Sequence, residues 1–339
     1  MTEIGKINGH RPSGLLHLLD PSLKLAPHPK ENEVDFDLEL GLSAVVRLSS
    51  NVPEEAFSAR VLGTEREGNA ILLGKDNIFV TIGYLVVDAH TITLQAKGKQ
   101  KVQAEVIGYN HESGLALIHT LSALDIPFIK QGTADDLEEN EPVIIAPYGG
   151  VDHAISACVV SRREFAGSWE YLLDRAIFTS PIHPNWSGAA LIRRDGTLCG
   201  VGSLWINDAE EGKSDSPGNL FVPIDLLEPI YDDMVSSGLA QGPYRPWLGM
   251  YTAEAMNSLF VSGVIPDAPA DLAGVEVGDV IAGLEDEPID SLSGMYRKLW
   301  SLGNAGITVM LNIKRDGEDM DVSVKSDSRY NLMSKRSNH

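Results

Sequence analysis

From Leu38 to about Leu226 the apolar positions fall in short runs broken by glycines and turn residues. Examples are Ala44-Val45-Val46-Arg47-Leu48, Ala70-Ile71-Leu72-Leu73, Ile92-Thr93-Leu94, Val143-Ile144-Ile145 and Ala157-Cys158-Val159-Val160. Closely spaced runs of this kind predict many strands, and so a barrel or sandwich. One helix is predicted at Leu226 to Ser236, with Asp225 as its N-cap and Gly238 as its stop. Gln241-Gly242-Pro243-Tyr244-Arg245-Pro246 denies continuous secondary structure and marks a linker. Beyond it lies a smaller unit with strands at Phe260 to Ile265, Gly278 to Ile281, Thr308 to Ile313 and Met320 to Val324. Its helix, Leu292 to Leu302, sets Leu292, Met295, Leu299 and Leu302 on one face with Ser291 as N-cap. Asp316-Gly317 signals a hairpin between the last two strands. The division expected is an N-terminal arm over 1–36, a first domain over 37–240, a second over 241–327 and a disordered tail over 328–339.

Composition narrows the function classes. Of the 339 residues 43% are hydrophobic and 22% charged, ordinary for a chain that buries a core. The net charge of −21 argues against partners built on phosphate, so neither nucleic acid nor an anionic membrane surface is expected. The nine histidines are scattered without zinc-ligand spacing, and no phosphate-binding glycine loop is present, so no metal and no cofactor are expected. Cys158 and Cys199 both lie in apolar, strand-like runs and are expected to be buried free thiols. No run approaches the roughly 18 apolar residues of a membrane span. The N-terminal segment shows no secretory signal, which predicts a cytoplasmic chain, or a periplasmic one if a leader has been removed.

Ala268-Pro269-Ala270-Asp271-Leu272-Ala273-Gly274-Val275-Glu276-Val277-Gly278-Asp279-Val280-Ile281 resembles the signature of a PDZ domain of the kind attached to HtrA/Deg-type serine proteases. PDZ domains take C-terminal peptides as an added strand, with backbone amides receiving the terminal carboxylate. The matching loop is Trp247-Leu248-Gly249-Met250, and the Leu292 to Leu302 helix is the expected second groove wall. The first domain resembles the trypsin-like unit of the same family in three segments. Phe79-Val80-Thr81-Ile82-Gly83-Tyr84-Leu85-Val86-Val87 is similar to the strand and turn that present the catalytic histidine. Ser113-Gly114-Leu115-Ala116-Leu117-Ile118 is similar to the stretch that presents the aspartate. Asn185-Trp186-Ser187-Gly188-Ala189-Ala190-Leu191 is similar to the nucleophile loop. The resemblance implies a mainly β protein, a trypsin-like double six-stranded β-barrel followed by an α/β PDZ domain, and homotrimeric assembly.

The same matching places Ser187 at the nucleophile position, Tyr84 at the histidine position and Gly114 at the aspartate position. Asn185 stands where the oxyanion hole has a glycine. A triad needs histidine to take the serine proton and aspartate to orient the histidine. A phenol with a pKa near 10 is ionised in only about one molecule in a thousand at neutral pH, and glycine offers no side chain. The reading is therefore an HtrA-like pseudoprotease that binds polypeptide C-termini or extended, unfolded segments as an adaptor or scaffold. The alternative is an endopeptidase in which Ser187 attacks with a base from His183, a neighbouring subunit or a partner. A purely structural role in an oligomer is a third reading.

Overall fold

The apolar runs become strands of two closed barrels. The first contains β1 (Val45–Asn51), β2 (Glu65–Leu72), β3 (Ile78–Ile82), β4 (Thr91–Gln95), β5 (Val102–Tyr109) and β6 (Leu115–Thr120), closed in the order β1-β2-β3-β6-β5-β4. The second contains β7 (Pro142–Ala146), β8 (Ile155–Gly167), β9 (Tyr171–Ser180), β10 (Ala190–Arg193), β11 (Leu198–Ile206) and β12 (Gly218–Pro223), closed in the order β10-β11-β12-β9-β8-β7. The computed structural model describes residues 27–331 apart from 57, 214, 256 and 257. Along β1, Val46, Leu48 and Ser50 point inward while Arg47 and Asn51 face solvent, the alternation a barrel wall requires. Closure leaves each barrel with no unpaired edge.

A third sheet runs in the order β13-β14-β15-β17-β18, from β13 (Met250–Ala255), β14 (Ser258–Val264), β15 (Val280–Leu284), β17 (Thr308–Arg315) and β18 (Glu318–Lys325). The short β16 (Glu287–Pro288) pairs with β15. β13 is an edge strand. The predicted Ser291 cap is observed: its side chain accepts from Gly294 N at the start of the helix Leu292–Ser301, whose Leu292, Met295, Tyr296 and Leu299 are buried. Asp316 and Gly317, both with positive φ, turn β17 into β18. The described residues form two compact units, one of residues 27–163 with 175–240, the other of residues 164–174 with 241–331. The far end of the β8–β9 hairpin thus belongs with the third sheet, which no sequence pattern indicated.

Several expectations are corrected. The region predicted as one helix at Leu226 to Ser236 is two 3₁₀ turns, Ile224–Leu226 and Glu228–Ile230, and then a helix, Tyr231–Ser237. Pro229 lacks the N–H that a continuous helix needs. Gly238 does end the helix, left-handed at φ 80°. Asp225 does not cap it, because its carboxylate accepts from Thr133 Oγ1 and from Ala134 N (2.7 Å). Both cysteines are free, but Cys158 is exposed and only Cys199 is buried. In β8 the side chains alternate, and Ala157 and Val159 take the inward positions on either side of Cys158. Most of the expected arm, residues 1–26, and most of the expected tail, residues 332–339, lie outside the described residues. Residues 27–36 are tied down: Ser156 N donates to Pro27 O at 3.0 Å and Asp35 N to Arg194 O at 2.9 Å.

Candidate functional site

The fold brings the three triad positions together. Ile82 ends β3, and the 3₁₀ turn Gly83–Leu85 follows at once. Gly83 N donates to Gly114 O at 2.7 Å, setting the histidine position beside the aspartate position. A Cβ on Gly83 would meet the Tyr109 ring at 1.9 Å, which is why glycine precedes Tyr84. Gly114 has φ 75° at the end of a turn in which the Asn110 Oδ1 accepts from Ser113 N (2.7 Å) and Ser113 Oγ (2.8 Å). Such a backbone favours glycine, and no carboxylate stands behind Tyr84 from this position.

Tyr84 places its phenol oxygen 3.0 Å from Ser187 Oγ and 2.7 Å from Ser203 O. A carbonyl can only accept, and a phenol has one proton. Donation to Ser203 O leaves the phenol oxygen as the acceptor for the serine hydroxyl. Burial pushes the Tyr84 phenol well above its ordinary value, with the Ser187 hydrogen bond opposing. A neutral phenol is a far weaker base than the imidazole of a triad, and its hydrogen bond fixes the position of the Ser187 hydroxyl.

His183, the base proposed within the chain, is committed elsewhere. Its Nδ1 accepts from Asn185 N at 2.9 Å, which puts the ring proton on Nε2, 2.8 Å from His153 O. The ring is 2% exposed, and desolvation lowers its pKa to about 4, so it is neutral at neutral pH. Its backbone is clasped by Asn219, which accepts from His183 N at 2.7 Å and donates to His183 O at 3.2 Å. The consequence reaches the oxyanion position. The Asn185 N–H that would face a developing oxyanion is donated to His183 Nδ1 instead. Trp186, also buried, packs edge-on to Trp205 with ring centroids 6.1 Å apart.

Two residues absent from the sequence reasoning organise this loop. Asn69 on β2, 4% exposed, donates from Nδ2 to Ser187 O (2.9 Å) and Asn185 O (3.2 Å), while its Oδ1 accepts from Tyr148 N at 2.7 Å. Its own N–H donates to Ser187 O at 2.9 Å. Gly188 has φ 71°, and a Cβ there would lie 2.1 Å from Asn69 O. Ser203 supplies the carbonyl that receives the phenol. Asn69 is 118 residues from Ser187, and a lone asparagine in a strand carries no signal of such a partner.

In the second unit the loop Trp247 to Met250 presents three backbone donors. Leu248 N (3.0 Å), Gly249 N (2.7 Å) and Met250 N (3.3 Å) all donate to the Glu170 carboxylate. Trp247 takes no part in this fan, because its N–H donates to Asp327 O at 3.0 Å. Gly249 has φ 78°, and a Cβ would meet Ala268 Cβ at 2.4 Å, so a side chain is refused there. The arrangement is a carboxylate receptor made of amides. Among the described residues no group of three or more His, Cys, Asp or Glu could hold a metal ion, and no helix is long and apolar enough to cross a membrane.

Comparisons with known proteins agree with this architecture. Residues 68–201 match the trypsin-like peptidase domain family and residues 246–326 the PDZ domain family. The chain is an HtrA-like protein, a trypsin-like peptidase domain followed by a PDZ domain. It is 27% identical over 308 residues to a probable periplasmic serine endoprotease DegP-like of Pseudomonas fulva (strain 12-X), covering 85% of this chain and 62% of the relative. It is 26% identical over 273 residues to the periplasmic serine endoprotease DegP of Escherichia coli (strain K12), covering 76% and 56%. The chain thus spans about three fifths of the length of the curated relatives it matches. A solved structure of the HtrA-type protease AlgW with a decapeptide superposes with a TM-score of 0.52 at 16% identity, covering 87% of this chain and 99% of that one. The expected cytoplasmic location is overturned by the relatives, which are named as periplasmic proteins.

Proposed function

We propose that this HtrA-like protein is proteolytically silent in its barrels and works in the periplasm by capturing polypeptide C-termini or extended segments through its PDZ loop. The observation that carries the reading is the Tyr84 phenol bridging Ser187 Oγ and Ser203 O. It occupies the place of the general base and is a far weaker base than the imidazole of a triad. Two further features support it: the glycine at position 114, and the Asn185 N–H turned to His183 Nδ1. Loss of the triad's joint action costs on the order of 10⁶ in turnover, and loss of one oxyanion donor roughly 10²–10³. For capture, the support is the amide fan at residues 248–250 beside β13, an edge strand able to accept a further strand. Homotrimeric assembly belongs to the same reading and is checked by light scattering.

The second reading, a serine endopeptidase using Ser187 with a base brought by a neighbouring subunit or partner, is the one the relatives' names favour. Its foothold in the chain is the retained serine itself. His183 no longer serves it, since both ring nitrogens are bonded. Incubation with reduced, unfolded casein separates the two. The first reading expects no fragments beyond those formed by Ser187→Ala; fragments from wild type alone establish the second.

A further inference from the structure

The β8–β9 hairpin ends on Ser168, Trp169 and Glu170, between Gly167 of β8 and Tyr171 of β9. Glu170 sits in the left-handed region at φ 58°. Glycine and asparagine fill such turn positions at least cost, and a long side chain there runs against local preference. The side chain is also 7% exposed, although ionisable carboxylates are rarely so buried without partners. Its partners are the amides of Leu248, Gly249 and Met250. The backbone of the tip follows the groove as well. Thr252 N on the edge strand β13 donates to Ser168 O at 2.9 Å, a strand-addition hydrogen bond two residues before the carboxylate. From the helix Leu292–Ser301, Tyr296 Oη donates to Gly167 O at 2.8 Å and accepts from Glu170 N at 3.1 Å. Arg329 donates to Trp169 O at 3.2 Å, and Arg297 pairs with both Glu164 and Asp174 at the hairpin's flanks. Leu172 joins the apolar core of this unit.

We propose that the hairpin tip is a built-in occupant of the PDZ groove, with the Glu170 side chain standing in for a ligand's terminal carboxylate, and that an incoming polypeptide C-terminus must displace it. This rests on the capture reading above and adds its regulation. The groove has two walls, an edge strand and a helix, and the tip bonds to both while its carboxylate fills the amide fan. An external C-terminus needs the same donors from the same residues, so the two occupants exclude one another. Capture is then weakened by the fraction of time the tip is seated: a tip seated about nine-tenths of the time lowers apparent affinity about ten-fold.

The test uses the full chain as wild type, Glu170→Ala and Glu170→Gln. Hydrogen exchange at Leu248, Gly249 and Met250 reports occupancy without any ligand. Exchange at least ten-fold faster in Glu170→Ala, with Glu170→Gln between, is expected; equal exchange in all three overturns the proposal. Binding is read by fluorescence anisotropy with a fluoresceinated, randomised decapeptide pool carrying a free C-terminal carboxylate, and with the same pool amidated. The acid pool should bind Glu170→Ala at least ten-fold more tightly than wild type, and the amidated pool should show no such gain. Equal affinity for wild type and variant overturns the displacement step while leaving capture intact. Protection that depends on Glu170, with no binding of the acid pool by any form, overturns both displacement and the capture reading, leaving the tip a structural clasp.

Discussion

Replacing Asn69 by alanine tests whether this one side chain fixes the nucleophile loop. Truncation removes three hydrogen bonds, from Nδ2 to Ser187 O and Asn185 O and from Tyr148 N to Oδ1. Ser187 O retains the bond from the Asn69 backbone N–H, so two groups are left without a partner: the Asn185 carbonyl and the Tyr148 N–H. An unsatisfied buried polar group costs about 1–3 kcal/mol. Tyr148 is half-buried and Asn185 is exposed, so the low half of that range applies to the Tyr148 N–H, water takes over at the Asn185 carbonyl, and the expected loss is about 1–2 kcal/mol. Asn69→Asp gives a sharper test of the same contact. It keeps an acceptor for Tyr148 N but turns the donor toward two carbonyls into another acceptor. It should therefore be worse than alanine at pH 8 and recover in part at low pH, where a protonated carboxyl donates again. Urea unfolding followed by tryptophan emission reads both variants. A loss below about 0.5 kcal/mol for alanine, with aspartate no worse, refutes the placement of Asn69 as the clamp of this loop.

Other outcomes follow from the same structure. His183 is held neutral with its pKa near 4, against an ordinary value of about 6.5 when unfolded. Its contribution is therefore complete above about pH 6.5 and is lost as pH falls toward 4, by about 3 kcal/mol in all; the wild-type urea midpoint should drop across that window more steeply than that of His183→Gln. Tyr84→Phe removes the hydroxyl that joins Ser187 Oγ to Ser203 O and should cost about 1 kcal/mol in urea unfolding, with no cleavage gained. Gly249→Ala sets a Cβ 2.4 Å from Ala268 Cβ at φ 78° and should lower stability by about 1–3 kcal/mol. Its melting curve should show that loss while the exchange protection of Leu248 N falls.

Features carried by contiguous residues were legible in the sequence. The three triad segments, the PDZ loop, the Ser291 cap and the Asp316-Gly317 turn each rely on neighbours within a few positions, and local patterns specify those. The inward-facing side of β8 was not legible, because alternation in a run as uniformly apolar as Ala157 to Val160 has no polar phase to mark solvent. Asn69 and Glu170 were invisible for a different reason. The partners of their side chains lie 79–118 and 78–80 residues away, and a single polar residue in a strand or at a hairpin tip looks like any other. His183 was noticed for its nearness to Ser187 in sequence. What decides its role is the direction of its two nitrogens, which only the fold determines.

The central claim is that Ser187 is held by Tyr84 without being activated. Labelling of the folded protein with a fluorophosphonate, using Ser187→Ala as control, tests it most directly. The account predicts wild type and Ser187→Ala alike, both unlabelled. Labelling of wild type that disappears in Ser187→Ala contradicts it, and shows that a base reaches this serine from outside the residues that surround it here.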